Sequence, residues 1–214
     1  GAGAFLKALQ QFQDLRLHRD VQRRHGLVEH DELGLDAQQL AQIEQLEISF
    51  AARRQALEAD TFWCMSKLLD GIQDNYIFAQ PGILRQLSIM ADVVKRIDAP
   101  LHEHLAEQGV EYMQFSFRWM NCLLMREMSV KSIIRIWDTY LAEGADSFSE
   151  FHPFVCAVFL HRWRKELLRM DFQAIIMFLQ SLPTQHWSDH DAEMLLSEAF
   201  MYKSLFGNSA HIGS

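Results

Sequence analysis

Apolar residues recur every third or fourth position along almost the whole chain, and no segment alternates with polar residues for the length of a strand. That spacing is the mark of packed amphipathic helices, and it predicts an all-α fold of about ten of them. Residues 4–24 read as a first helix, broken by "HGLVEHDELGL" at 25–35. Residues 36–72 read as two helices meeting near Glu58, with Asp60 capping the second. Pro81 falls near a helix start, where a missing N–H does no harm. Asp98 reads as an N-cap, with Pro100 in the first turn and Gly109 as the stop. Further helices are expected over 110–125, 129–142, 151–170, 171–182 and 188–206, with Asp171 and Ser188 as caps. No internal repeat or low-complexity stretch interrupts them.

Composition sharpens this picture. Hydrophobic residues make up 49% of the 214, enough for a substantial core. Trp63, Trp119, Trp137, Trp163 and Trp187 each fall on a different predicted helix or connection, and are expected to fill the joints between helices. Cys64, Cys122 and Cys156 are odd in number and widely spaced within apolar runs, which reads as buried thiols in a reducing compartment. No apolar run approaches the roughly 18 residues that span a bilayer, so no direct membrane insertion is expected. The opening "GAGAF" lacks a methionine and reads as a trimmed start, not as a signal peptide.

The net charge of −8 argues against nucleic acid as a partner, since phosphate would be repelled. The charge is uneven. Residues 1–25 hold five basic side chains against two acidic ones, a net +3, so the rest carries −11.

Candidate chemistry is sparse. Arg118 and Arg126 sit in the apolar run "FRWMNCLLMRE", and Asp138 follows in "IWDTYL". Eight residues turn a helix by about 80°, so both guanidiniums lie on roughly one side. A buried arginine cannot shed its charge and needs a partner. Asp138, Glu127 or helix C-terminal carbonyls are the candidates, and Arg118, Arg126 and Asp138 are expected to form a structural ion pair. Contact with an anionic ligand is the alternative. His102 and His104, and His186 and His190, do not have the spacing of a zinc protease and read as solvated. No phosphate-binding glycine loop and no nucleophile elbow is present, and no cofactor or metal is implied.

Three segments carry a family resemblance: "EADTFWCMSKLLDGIQDNYIFAQPGI" (58–83), "FSFRWMNCLLMREMSVKSIIRIWDTYLAEG" (115–144) and "DFQAIIMFLQSLPTQHW" (171–187). In order and spacing they resemble the C-terminal half of a TBC domain, the all-helical module of Rab GTPase-activating proteins. The resemblance implies a division into N-terminal helices over 1–57, a TBC C-terminal lobe over 58–209 and a tail over 210–214. It also implies a Rab-family small GTPase as partner, a role in membrane traffic, and a cytoplasmic protein recruited to membranes through others. TBC proteins insert an arginine, from an I-x-x-D-x-x-R motif, and a glutamine, from a Y-x-Q-G motif, into the partner's nucleotide site. Here "LHRDVQRRHG" offers Leu17, Asp20 and Arg23 at the first spacing, making Arg23 the candidate finger and Asp20 its orienting carboxylate. The Y-x-Q-G motif is missing; Gln108 and Gly109 form the chain's only Gln-Gly pair, without the tyrosine. The expectation is a Rab regulator that is weak or inactive as an activator. A catalytically silent interaction module is the alternative, and a purely structural scaffold the third.

Overall fold

The computed structural model describes residues 37–144 and 146–207, and every regular element among them is helical. The chain divides at Leu68/Leu69 into two units.

The first unit contributes most of helix α1, Ala37–Asp70. Its 34 residues hold no Gly or Pro, so nothing in the backbone interrupts it. The junction expected near Glu58 does not form, and Asp60 lies inside the helix, not at a cap. Arg54 and Glu58, 4.0 Å apart, line one exposed face. Trp63 is 70% exposed, contrary to its expected place in a joint.

The second unit begins with a 3-10 turn, Gln73–Asn75, and continues through α2 (Pro81–Ile97), α3 (Ala99–Glu107), α4 (Tyr112–Asn121), α5 (Val130–Glu143), α6 (Ser147–Glu150), α7 (His152–His161), α8 (Arg164–Leu167), α9 (Phe172–Gln180) and α10 (Asp189–Phe206). Its axle is α7. Every residue from His152 to Leu160 is buried, because "HPFVCAVFL" is apolar all round and needs neighbours on every side. Helices α2, α4 and α10 pack around it. The helix expected over 151–170 is instead two, α7 and the short α8, with a break at Arg162 and Trp163.

Four of the expected caps and starts form. Asp98 accepts from the Leu101 N–H (3.1 Å), Asp171 from Ala174 (2.9 Å), and Ser188 closes a capping box with Asp191. Pro81 occupies the first turn of α2. Each side-chain cap contributes about 1 kcal/mol. Asp98 has a second task, an ion pair of 2.6 Å with Arg164 that ties the start of α3 to α8.

Charged residues align α5 with α10. Lys131 meets Asp189 (2.8 Å) and Arg135 meets Glu193 (3.5 Å) near the two helix starts, while Glu143 meets Lys203 (3.9 Å) near the two ends. Start pairs with start and end with end, so the two helices run parallel. The aromatic joints hold Trp119 edge-on to Phe115 and Phe159, and Trp163 stacked on Trp187 at 6.4 Å.

Candidate functional site

The site singled out by the sequence is built around the end of α4. The expected helix over 110–125 stops at Asn121, because Leu123 and Leu124 adopt left-handed backbone (φ 50° and 61°). The Leu124 N–H returns to the carbonyl of Trp119 at 3.1 Å, and that of Glu127 to Leu124 at 2.9 Å. This reversal decides who pairs with Arg118. On an unbroken helix, nine residues turn about 180°, so Arg118 and Glu127 would lie on opposite faces. The left-handed turn folds Glu127 back over α4. Arg118 then donates from Nε (2.5 Å) and Nη2 (2.7 Å) to the two carboxylate oxygens of Glu127. Two parallel charge-assisted bonds are the strongest form of this interaction. The carboxylate is 2% exposed and the guanidinium 27%.

The pair is itself anchored. Arg118 Nη2 donates to the carbonyl of Gln180 (3.2 Å), at the end of α9. The Thr184 hydroxyl donates to the carbonyl of Glu127. The Leu123 carbonyl accepts from the Trp137 indole N–H at 3.1 Å. Beneath the turn, buried His152 faces the Trp119 carbonyl with Nε2 (3.0 Å) and the Tyr140 hydroxyl with Nδ1 (2.9 Å). Nε2–H donates to the carbonyl and Nδ1 accepts from Tyr140, which fixes a neutral imidazole. Burial lowers the His152 pKa to about 4, against the partial opposing pull of the Trp119 carbonyl. Burial also pushes the Tyr140 hydroxyl and the Cys156 thiol well above their ordinary ranges.

The expected trio is thus corrected. Arg118 pairs with Glu127 and not with Asp138. Arg126 is exposed and Asp138 half-buried, and neither side chain has a hydrogen bond or ion pair among the described residues. Sequence reading named Glu127 only as one possible acceptor, and missed Thr184 and His152. The candidate finger residues Arg23 and Asp20 lie outside the described residues. His102 and His104 are not simply solvated: the first is 3.0 Å from the Tyr112 hydroxyl, the second 3.0 Å from the Met170 carbonyl. His186 and His190 are exposed. Cys156 is buried, whereas Cys64 and Cys122 are half-buried. Among the described residues no three His, Cys, Asp or Glu side chains gather as metal ligands, and no helix is long and apolar enough to cross a membrane.

A second turn touches the first. Tyr76, just after the 3-10 turn, donates its hydroxyl to the carbonyl of Asn121 at 3.0 Å. Ala79 and Gln80 follow in left-handed backbone (φ 64° and 46°) and lead into α2. Ile77 and Phe78, just before them, are 55% and 98% exposed, and Met125, on the first turn, is 53% exposed.

Arg118 and Glu127 are spent on the fold's own architecture, and the fold defines an all-α helical array of the TBC type. The Rab-GTPase-TBC domain family model matches residues 50–168, more than half of the chain. The chain belongs to that family. It is 61% identical over 160 residues to GTPase-activating protein gyp1 of Schizosaccharomyces pombe, covering 74% of this chain and 31% of that protein. It is 56% identical over 154 residues to TBC1 domain family member 22A of Homo sapiens, covering 72% and 30%. A crystal structure of the Ypt/Rab-GAP domain of Gyp1p superposes with a TM-score of 0.67 at 59% identity, over 70% of this chain and 46% of that one. The chain therefore spans about a third of the length of these curated relatives.

Proposed function

We propose that this chain supplies the GTPase-docking lobe of a Rab regulator in membrane traffic, and that by itself it is weak or inactive as an activator. Family membership and relatives named as GTPase-activating proteins support the partner class. The observation that carries the second half concerns Gln108 and Gly109. The Gln108 N–H bonds the His104 carbonyl (2.9 Å), and Gly109, at φ +70°, bonds Ala106 (3.0 Å). This Gln-Gly pair terminates α3, a task that glycine's left-handed freedom suits. Gln108 stands without the tyrosine of the Y-x-Q-G motif, which supports reading the pair as a helix stop and not as a water-orienting finger.

In GTPases an arginine supplied in trans offsets charge on the transferring phosphoryl group, while a glutamine orients the attacking water. Nucleotide and Mg²⁺ belong to the partner. A chain with Arg23 as its arginine, oriented by Asp20, and no glutamine would dock and stabilise charge without placing the water. We assign the lobe to residues 58–209, and a cytoplasmic location with recruitment to membranes through partners. The competing reading, a module that binds and does not accelerate hydrolysis at all, is supported by the same missing Y-x-Q-G motif.

The test is GTP hydrolysis by a panel of Rab proteins with and without the 214-residue chain, alongside binding measurements. Binding with little stimulation, reduced further by Arg23→Ala, is the expected result. Binding with no stimulation selects the silent module. Failure to bind any member of the panel overturns both, and strong stimulation that survives Arg23→Ala overturns the assignment of the finger.

A further inference from the structure

Residues 62–65 of α1, "FWCM", are apolar without a break. Successive helical residues point about 100° apart, so four in a row cover every side of the helix. A helix that is apolar all round is ordinarily buried on all sides. In α7 that rule holds, with "HPFVCAVFL" enclosed throughout. In α1 it fails. Phe62, Trp63 and Met65 are 63%, 70% and 39% exposed, and Cys64 is half-buried. Ile48 and Phe50, earlier on the helix, are 62% and 54% exposed. Among the described side chains of α1, Leu57 is the one buried. Helices in proteins draw most of their stability from packing an apolar face, and α1 is long and bare where that packing is due.

The distribution of these side chains says what kind of partner fits. One neighbouring helix covers one side of another. Enclosing four apolar residues that point in four directions takes several, as α2, α4 and α10 do for α7. A second copy docked about a two-fold axis would cover one face per chain and leave the opposite side exposed. A ring of apolar surface also suits a permanent partner. Obligate interfaces resemble a domain core cut in half, whereas non-obligate ones are no more apolar than the rest of a protein's surface.

The cut domain can be named by class. The family match begins at residue 50, so "FWCM" lies inside the matched stretch. The chain covers 46% of the Gyp1p domain, which leaves more than half of that domain unmatched. The segments that carry the resemblance belong to the C-terminal half of a TBC domain, so the N-terminal half is the part left over. We infer that Phe62, Trp63 and Met65 form a docking surface for the N-terminal half of a TBC domain, a polypeptide of several helices with an apolar face. It encloses the end of α1 as α2, α4 and α10 enclose α7. The docking needs no GTPase, so it stands apart from the activity proposed above.

Co-expression tests this. The tagged 214-residue chain is produced together with the part of the Gyp1p domain that precedes its match to this chain, and the amount of that part captured on the tag is measured. A one-to-one complex is expected. Trp63→Asp should lower capture at least about tenfold, because an aromatic anchor is lost and a carboxylate is buried without a partner. Phe62→Ala should lower it severalfold. Met177→Asp, at a 62% exposed position on α9, serves as the control and leaves capture unchanged. Circular dichroism establishes that each variant folds; Phe62→Ala adds no charge and decides the matter should Trp63→Asp unfold. Failure to capture the Gyp1p part overturns the inference, and so does capture indifferent to both substitutions on α1. Two further measurements assign the surface elsewhere if they succeed. A dimer of the chain alone in sedimentation velocity, broken by Trp63→Asp, would give it to a second copy. Binding to a Rab that is lost in the same variant would give it to the GTPase. Either result overturns the inference, and Rab binding that survives Trp63→Asp is the expected one.

Discussion

Leu123 with Leu124, and Ala79 with Gln80, each set two successive non-glycine residues in left-handed backbone, and the two turns meet through the hydroxyl of Tyr76. Left-handed conformation costs an L-residue about 1–2 kcal/mol, so each turn stores a few kcal/mol. The first lies in the core, with Leu124 fully buried. The polar groups it redirects are bonded again: the Trp119 carbonyl to Leu124 and His152, the Leu123 carbonyl to Trp137, the Glu127 side chain to Arg118. The second is at the surface, with Ala79 exposed. Beside it Gln86 donates to Asn75 Oδ1 (3.1 Å), but the buried Asn75 Nδ2 and Gln86 Oε1 have no partner. A helix can thus be broken in the interior without glycine or proline when the surroundings re-bond what the break exposes. Where they do so only in part, the turn stays at the edge.

The strongest way to break this contrast is Glu127→Ala. It strands the Arg118 guanidinium in a largely enclosed place and releases the turn that the pair holds. Removing one partner of such a pair costs about 3–5 kcal/mol, or roughly 10 °C in Tm for a chain of this size. Asp138→Ala, which breaks no side-chain hydrogen bond or ion pair, should move Tm by no more than about 2 °C. Thermal denaturation of the two variants side by side separates the pairing in the structure from the one expected from sequence. Equal shifts would count against the clasp.

Acid sharpens the same turn. His152 is neutral in the fold, with a pKa near 4 in place of the usual 6.5. Between those values the unfolded chain binds the extra proton and the folded chain does not. The contribution of His152 is therefore complete above about pH 6.5 and is lost as pH falls toward 4, amounting to about 3 kcal/mol. Denaturant titrations across that range should show stability falling, with the slope reduced in His152→Gln. An undiminished slope would assign the acid lability to other groups.

The second turn answers to Gly82. A Cβ there would run into the carboxylate of Asp74 and the amide oxygen of Asn75. Asp74 is also tied to Arg85 at 2.6 Å. Gly82→Ala gains up to about 1 kcal/mol of helix propensity but displaces both side chains, at about 1–3 kcal/mol. A net loss of about 1–2 kcal/mol is expected from urea unfolding, smaller than for Glu127→Ala because no charged group is left without its partner.

These two turns also mark where sequence legibility ends. Helix starts were readable because Asp98, Asp171, Ser188 and Pro81 act within three residues of their own position, and local chemistry is written locally. The end of α4 was not. "NCLLMRE" contains no helix breaker, and its reversal is compensated by Gln180, Thr184, Trp137 and His152, all distant in sequence. With the reversal unseen, Glu127 stood as one acceptor among several for Arg118, and nothing in the local sequence singled it out. The same reasoning erred in the other direction at Glu58, where composition allowed one helix and a junction was expected. The family resemblance pointed to the fold class, yet said nothing of which carboxylate holds it together.

The smallest expected effect isolates the backbone. Ala79 is exposed at φ +64°, and its methyl group is the only side-chain atom that Ala79→Gly removes. Glycine relieves the left-handed cost of about 1–2 kcal/mol, and gives back about 0.4–1 kcal/mol through the greater freedom of the unfolded chain. A net gain of a few tenths of a kcal/mol to about 1 kcal/mol should appear as a slightly higher urea midpoint with unchanged slope. The matching change at the other turn, Leu124→Gly, removes a fully buried side chain and should cost several kcal/mol despite relieving the same strain. Opposite signs from one substitution at two equally left-handed positions would show that burial, and not backbone conformation, sets what each turn contributes. If Ala79→Gly also destabilised, the surface turn would be held by bonds as strict as those of the interior one.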